Sequence, residues 1–258
     1  MGKIAFVFPG QGSQTVGMGQ QLADQYPEVM LYFKKADERL SVELSKLIFE
    51  GPQEELTKTV NTQPALLTTS LAILERFQKA AIKPDYVAGH SLGEYTALVA
   101  AGALTFEDGV YAVRKRGEFM EGAVPNGEGS MAAILGLDRE PLSKVTAEVS
   151  DSGFPVSLAN LNCPGQIVIS GSRKGVELAS AKAKEAGAKR AIPLEVSGPF
   201  HSSLMKPAAS ELRQVLDGLD MNSARIPVIA NVSANPMTTA EEIKESLIEQ
   251  LYSPVLWE

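Results

Sequence analysis

Apolar and polar positions follow two rhythms along this chain, and the rhythm changes near its middle. Residues 3–8 form an apolar run of strand length and read as a first, buried strand. The run ends in Pro9-Gly10-Gln11-Gly12-Ser13-Gln14, and a helix follows Gly17-Met18-Gly19 to about Tyr26. Helical spacing recurs over residues 28–40, 52–60 and 63–81. Residues 85–90 then form a strand that runs into Gly89-His90-Ser91-Leu92-Gly93 and a small-residue helical stretch, 96–103. Beyond the breaker cluster Pro125-Asn126-Gly127-Glu128-Gly129 the elements shorten. Residues 131–137, 156–160, 166–170 and 190–196 read as strands, and 140–149 and 174–186 as helices. That order, βαββαβ, is the ferredoxin-like pattern. It predicts a small domain at 126–196, inserted into a large domain made of 1–125 and 197–258. The large domain resumes with Ser197-Gly198-Pro199-Phe200-His201, a helix over 206–216, a buried strand over 226–232 and a helix over 240–251.

The chemistry centres on Ser91. G-x-S-x-G between a strand and a helix is a nucleophile-elbow pattern. Glycines on either side of the serine relieve the crowding of a turn that sharp, because they lack a Cβ. The N–H groups at the start of the following helix favour an anion there. By itself the pentapeptide is also compatible with a chance glycine pair in an ordinary strand–helix turn.

The remaining parts of an acyl-transfer site are sought around it. His201 is one of two histidines and lies in a Gly-Pro loop; His90 precedes Ser91 on the strand and points to the other side. The backbone N–H groups of Leu92 and Gln11 are the candidate oxyanion donors. No Asp or Glu presents itself to orient the base, and a backbone carbonyl is equally able to accept its Nδ1–H.

Residues 106–123 form a helix capped by Thr105. Phe106, Val110, Val113, Gly117, Met120 and Val124 fall on one stripe, and Glu107, Asp108, Arg114, Lys115, Glu118 and Glu121 on a separate arc. Arg116 sits on the flank of the apolar stripe. A charge turned toward a core needs a partner, either an internal carboxylate or that of a ligand.

Composition narrows the alternatives. The 258 residues carry a net charge of −7, which argues against general nucleic-acid binding. One cysteine and two histidines argue against disulfides and a zinc site. No run is long enough for a membrane span and no signal-peptide pattern opens the chain, so a cytoplasmic location is expected. The early glycines fail both phosphate-loop patterns: Thr15 stands where the dinucleotide fingerprint needs glycine, and Met18 where the Walker pattern needs lysine.

Seven motifs in order then resemble the malonyl-CoA:acyl-carrier-protein transacylases of bacterial fatty-acid synthesis. They are F-P-G-Q-G-S-Q at 8–14, T-Q-P-A at 62–65, G-H-S-L-G-E-Y at 89–95, R-G at 116–117, N-x-N-x-P-G-Q at 160–166, G-P-F-H-S at 198–202 and Q-L-Y-x-P-V-x-W at 250–257. The resemblance implies an α/β fold, a hydrolase-like, mostly parallel sheet with a ferredoxin-like insertion. It implies Ser91 as nucleophile, His201 as base, Gln250 as orienter through its backbone carbonyl, and Gln11 and Leu92 at the oxyanion hole. It places Arg116 on the malonyl carboxylate, with Gln63, Asn160 and Phe200 as substrate-binding residues. Malonyl-CoA and acyl carrier protein are the implied substrates, with no cofactor and no metal, in a monomer. Members of the family usually run on into a closing segment that packs on the large domain, and the sequence here stops short of it. Two rivals remain: a thioesterase, sharing Ser91 and His201, and a non-catalytic carrier-binding protein. The clusters Arg114-Lys115-Arg116 and 182–190 are the expected docking sites for an acidic carrier.

Overall fold

The computed structural model describes residues 2–125 and 127–258. Met1 and Asn126, which mark bounds of the expected domains, lie outside the described residues. In chain order the strands are β1 (Ala5–Phe8), β2 (Tyr86–Gly89), β3 (Gly129–Leu135), β4 (Val156–Cys163), β5 (Gln166–Ser172), β6 (Arg190–Pro193), β7 (Val228–Ile229), β8 (Pro236–Met237) and β9 (Val255–Leu256). The α-helices are α1 (Gln20–Gln25), α2 (Pro27–Leu40), α3 (Leu44–Glu50), α4 (Gln53–Thr57), α5 (Thr59–Phe77), α6 (Leu92–Ala100), α7 (Phe106–Gly122), α8 (Arg139–Asp151), α9 (Arg173–Glu185), α10 (Lys206–Asp217) and α11 (Ala240–Gln250). These form two compact units. One is Met1–Glu118 with Gln214–Ala230 and Asn235–Lys244; the other is Phe119–Arg213 with Asn231–Ala234 and Glu245–Glu258.

The first unit holds a four-stranded sheet in the order β1-β2-β7-β8, in which β1, β2 and β7 are parallel and β8 is antiparallel. β2 lies inside this sheet, and its Val87 is fully buried. β1, expected to be buried, is instead an edge strand with Val7 63% exposed. Its apolar run marks a strand but cannot say which strand has neighbours on both sides. The expected buried strand at 226–232 shrinks to the two-residue β7.

The expected helices 52–60 and 63–81 divide differently. α4 ends at Thr57, and α5 runs unbroken from Thr59 through Pro64. Proline has no N–H to give the carbonyl four residues back, that of Val60. The Val60 carbonyl accepts from Arg114 Nη1 at 3.4 Å instead. α5 packs against α2 and α6, and its Leu67 and Leu71 are buried. On α7, Thr105 Oγ1 accepts the Asp108 N–H at 3.1 Å, the expected cap.

The second unit holds the βαββαβ run. Its sheet has the order β6-β3-β5-β4, antiparallel throughout, which is the ferredoxin-like strand order. α8 and α9 supply Leu142, Val145, Val149, Val176, Ala179 and Ala183 to one core with Ile134, Leu161, Ile167 and Ile169 of the strands. The element bounds differ from the expected ones by up to three residues. β9 adds a fifth strand, parallel to β4, pairing Asn160 with Val255. With only two residues, β9 is too short to show in the sequence. No helix among the described residues is long and apolar enough to cross a membrane.

Candidate active site

β2 ends at Gly89 and α6 begins at Leu92, so the chain reverses within two residues. Ser91 takes φ 52° and ψ −108°, a conformation disfavoured for a residue with a Cβ. The glycines are sterically required. A Cβ on Gly89 would overlap the Gly93 carbonyl, and one on Gly93 would lie 2.5 Å from Phe8 O and 2.8 Å from Pro9 O. The loop after β1 presses on the elbow as well, since a Cβ on Gly10 would lie 2.6 Å from His90 O. Gln11 follows directly, held by a 3.1 Å hydrogen bond from its Nε2 to Thr59 Oγ1. Leu92 is the first residue of α6, and helices leave their first N–H groups without an internal partner.

Arg116, on α7, is buried to 1% exposure. Its Nη1 donates to Gln63 Oε1 at 2.8 Å, and its Nη2 donates to Ser91 Oγ at 3.0 Å. The guanidinium carbon sits 5.6 Å from the centre of the Tyr95 ring. Burial lowers the arginine pKa, while the neighbouring Tyr95 and Glu94 push it back up. Burial likewise raises the Tyr95 phenol above its ordinary range. Gln63 fixes one end of the fork, and the other end touches the elbow serine.

In the second unit, His201 is buried at φ 58° in a turn pinned by its own N–H, which donates to Leu251 O at 3.1 Å. Its Nδ1 is 2.7 Å from the Gln250 carbonyl. A carbonyl only accepts, so Nδ1 carries the proton and Nε2 is left as the basic nitrogen. Asn160 is buried on β4. Phe200 is buried as well, with its ring 3.1 Å from where a Cβ on Gly198 would stand.

Three neighbours escaped the sequence reading. Thr59 holds Gln11. Asn231 is buried, and its Oδ1 accepts from Gln250 Nε2 at 3.4 Å. Glu94 is fully buried in the first turns of α6. Asn231 had one signal, a polar residue inside the apolar run 226–232. Glu94 had another, an acid in a run of small and apolar residues. Thr59 had none.

An elbow serine between a parallel strand and a helix defines the hydrolase-like α/β class. Comparison with known proteins is narrower. The Acyl transferase domain family matches residues 5–258, and this chain belongs to that family. Over its whole length it is 67% identical to the malonyl CoA-acyl carrier protein transacylase of Bacillus subtilis (strain 168), covering 81% of that protein. It is 50% identical over its whole length to the transacylase of the same description from Escherichia coli (strain K12), covering 83% of it. Among solved structures it superposes with a TM-score of 0.96 on an acyl carrier protein S-malonyltransferase from Vibrio cholerae. That match is at 50% identity, over 99% of this chain and 84% of that one. It does so equally, at 47% identity and over 99% and 83% of the two chains, on a malonyl-transacylase solved in complex with a type II polyketide acyl-carrier protein.

Proposed function

We propose that this protein moves the malonyl group of malonyl-CoA onto the phosphopantetheine thiol of an acyl carrier protein, through an ester on Ser91. The donor for fatty-acid chain extension is the product. Ser91 Oγ attacks the thioester carbon while His201 Nε2 takes the hydroxyl proton, and the Gln250 carbonyl steadies the imidazolium through Nδ1–H. The N–H groups of Gln11 and Leu92 receive the oxyanion. Collapse expels the CoA thiolate, which leaves with the proton from His201. In the second half the carrier thiol gives its proton to His201, attacks the ester carbon and displaces Ser91, which recovers the proton. Arg116 binds the free carboxylate of the acyl group, with Gln63 holding the guanidinium in place; Asn160 and Phe200 shape the acyl and pantetheine site. No cofactor enters either step.

The observation that carries this reading is the 3.0 Å contact between a buried guanidinium and the elbow serine, in a chain of the Acyl transferase domain family. A thioesterase needs the serine but has no use for a buried cation beside it. The reading includes a cytoplasmic monomer with a large domain, 1–125 and 197–258, around a small one, 126–196. The test is initial-rate kinetics with both substrates varied. Parallel double-reciprocal lines are expected of an acyl-enzyme; intersecting lines argue for direct transfer.

A further inference from the structure

The second unit carries a groove of about 770 Å³ that the reaction above does not use. One wall is the start of α8, with Arg139 and Ser143; another is Ser203 and Lys206, just after His201; a third is Tyr252 and Pro254, just after Gln250. The residues that follow the imidazole and its carbonyl partner in the chain therefore line this groove. No acidic residue is among the described residues that line it, although the chain as a whole carries −7. Arg139 and Lys206 are both exposed, and neither forms an ion pair among the described residues. The Lys206 ammonium lies 5.9 Å from the Tyr252 ring centre. Of the acids of α8, Glu140 pairs with Lys144 and Glu148 with Lys182, while Asp151 is exposed at the opposite end of the helix from Arg139.

Of the clusters expected to receive a carrier, Arg114 and Lys115 share Glu118, Arg116 is buried and Lys182 is bound to Glu148, while Lys184, Lys189 and Arg190 are exposed but lie outside this groove. An acidic partner approaching a chain of net negative charge needs a local positive surface that is not already neutralised. We infer that the groove bearing Arg139 and Lys206 is the docking site of the acidic acyl carrier protein. This inference rests on the transfer reaction proposed above. Seating the carrier there places it against the segments that present His201.

The test is Arg139→Glu with Lys206→Glu in the full chain, read as two separate half-reactions. The expected result is a rise of about 10-fold or more in KM for the holo-carrier, with a flatter salt dependence, the usual signature of lost steering charges. The rate of ester formation from malonyl-CoA stays at the parent value, which also shows that the variant is folded. Arg139→Lys keeps most of the carrier KM, and a carrier with an acidic residue changed to lysine recovers affinity for the reversed variant. An unchanged carrier KM overturns the inference. So does an equal loss with malonyl-CoA, which would make the groove a site for coenzyme A phosphates, or a larger effect from Lys189→Glu with Arg190→Glu. Failure of the parent chain to form an ester with malonyl-CoA would overturn the proposed reaction itself, a result separable from all of these.

Discussion

Arg116 Nη2 donates to Ser91 Oγ at 3.0 Å, so the group assigned to read the acyl carboxylate touches the atom assigned to carry the acyl. The carboxylate of a malonyl ester on Ser91 lies only a short bonded path from that oxygen, within reach of a guanidinium already at contact. Acetyl offers no such partner.

A malonyl carboxylate adds charge-assisted hydrogen bonds to Arg116 that acetyl cannot make, each worth about 1.5–3 kcal/mol. Two of them correspond to discrimination of about 10²-fold or more between malonyl and acetyl. Arg116→Ala is therefore expected to lose malonyl transfer and gain relative activity with acetyl-CoA. Lysine rescues poorly, because it lacks the planar fork. The measurement is kcat/KM for both thioesters, and an unchanged ratio makes Arg116 a structural residue only.

Gln63 tests the same site from the other side. Its Oε1 accepts from Arg116 Nη1 at 2.8 Å, and both residues are buried. Gln63→Glu puts a permanent carboxylate where the arginine must stay available for substrate. It is expected to depress malonyl kcat/KM more than Gln63→Ala does, by about 10-fold if the competing pair forms. Equal effects of the two variants would show that Gln63 merely fills space.

His201→Ala removes the base and is expected to slow ester formation by at least ~10²-fold. Asn231→Ala leaves the base in place but removes the Gln250 side-chain anchor, and is expected to slow the same step much less. Stopped-flow acylation rates compare them. A rate with His201→Ala equal to the parent's would remove the residue from the mechanism.

Gly93→Ala forces a Cβ to 2.5 Å from the Phe8 carbonyl, so β1 and the loop bearing Gln11 must shift. Destabilisation above ~3 kcal/mol is expected, in the range reserved for enforced backbone movement. Gly122→Ala, at the end of α7 with open space where its Cβ would stand, is the control and is expected to be neutral or stabilising. Denaturant midpoints decide between the two outcomes.

The sequence carried most of what is local. Gly89 and Gly93 announced the elbow because only glycine fits there, and the place of Arg116 on the flank of the apolar stripe, away from the charged arc, announced a buried charge. The βαββαβ alternation revealed the ferredoxin-like unit because each strand is bounded by its own turn. What stayed hidden depends on tertiary neighbours. Strand pairing alone makes β1 an edge and turns β9 into the fifth strand of a sheet begun by distant residues. The break expected between residues 60 and 63 is absent: α5 runs from Thr59 through Pro64, and Arg114 donates to the Val60 carbonyl that proline leaves without its helical partner. The pairing of Gln250 with His201 spans 49 residues and uses a main-chain carbonyl, so it was reached through the family resemblance and not from the side chains themselves.

Everything above turns on an ester at Ser91, and the intact mass of the protein after mixing with malonyl-CoA, followed by peptide mapping, reads that ester directly. A gain of one malonyl group is expected, mapped to the peptide containing Ser91, absent from Ser91→Ala and discharged on addition of holo-carrier. Free malonate with no adduct, or an adduct mapped to any other residue, would contradict it.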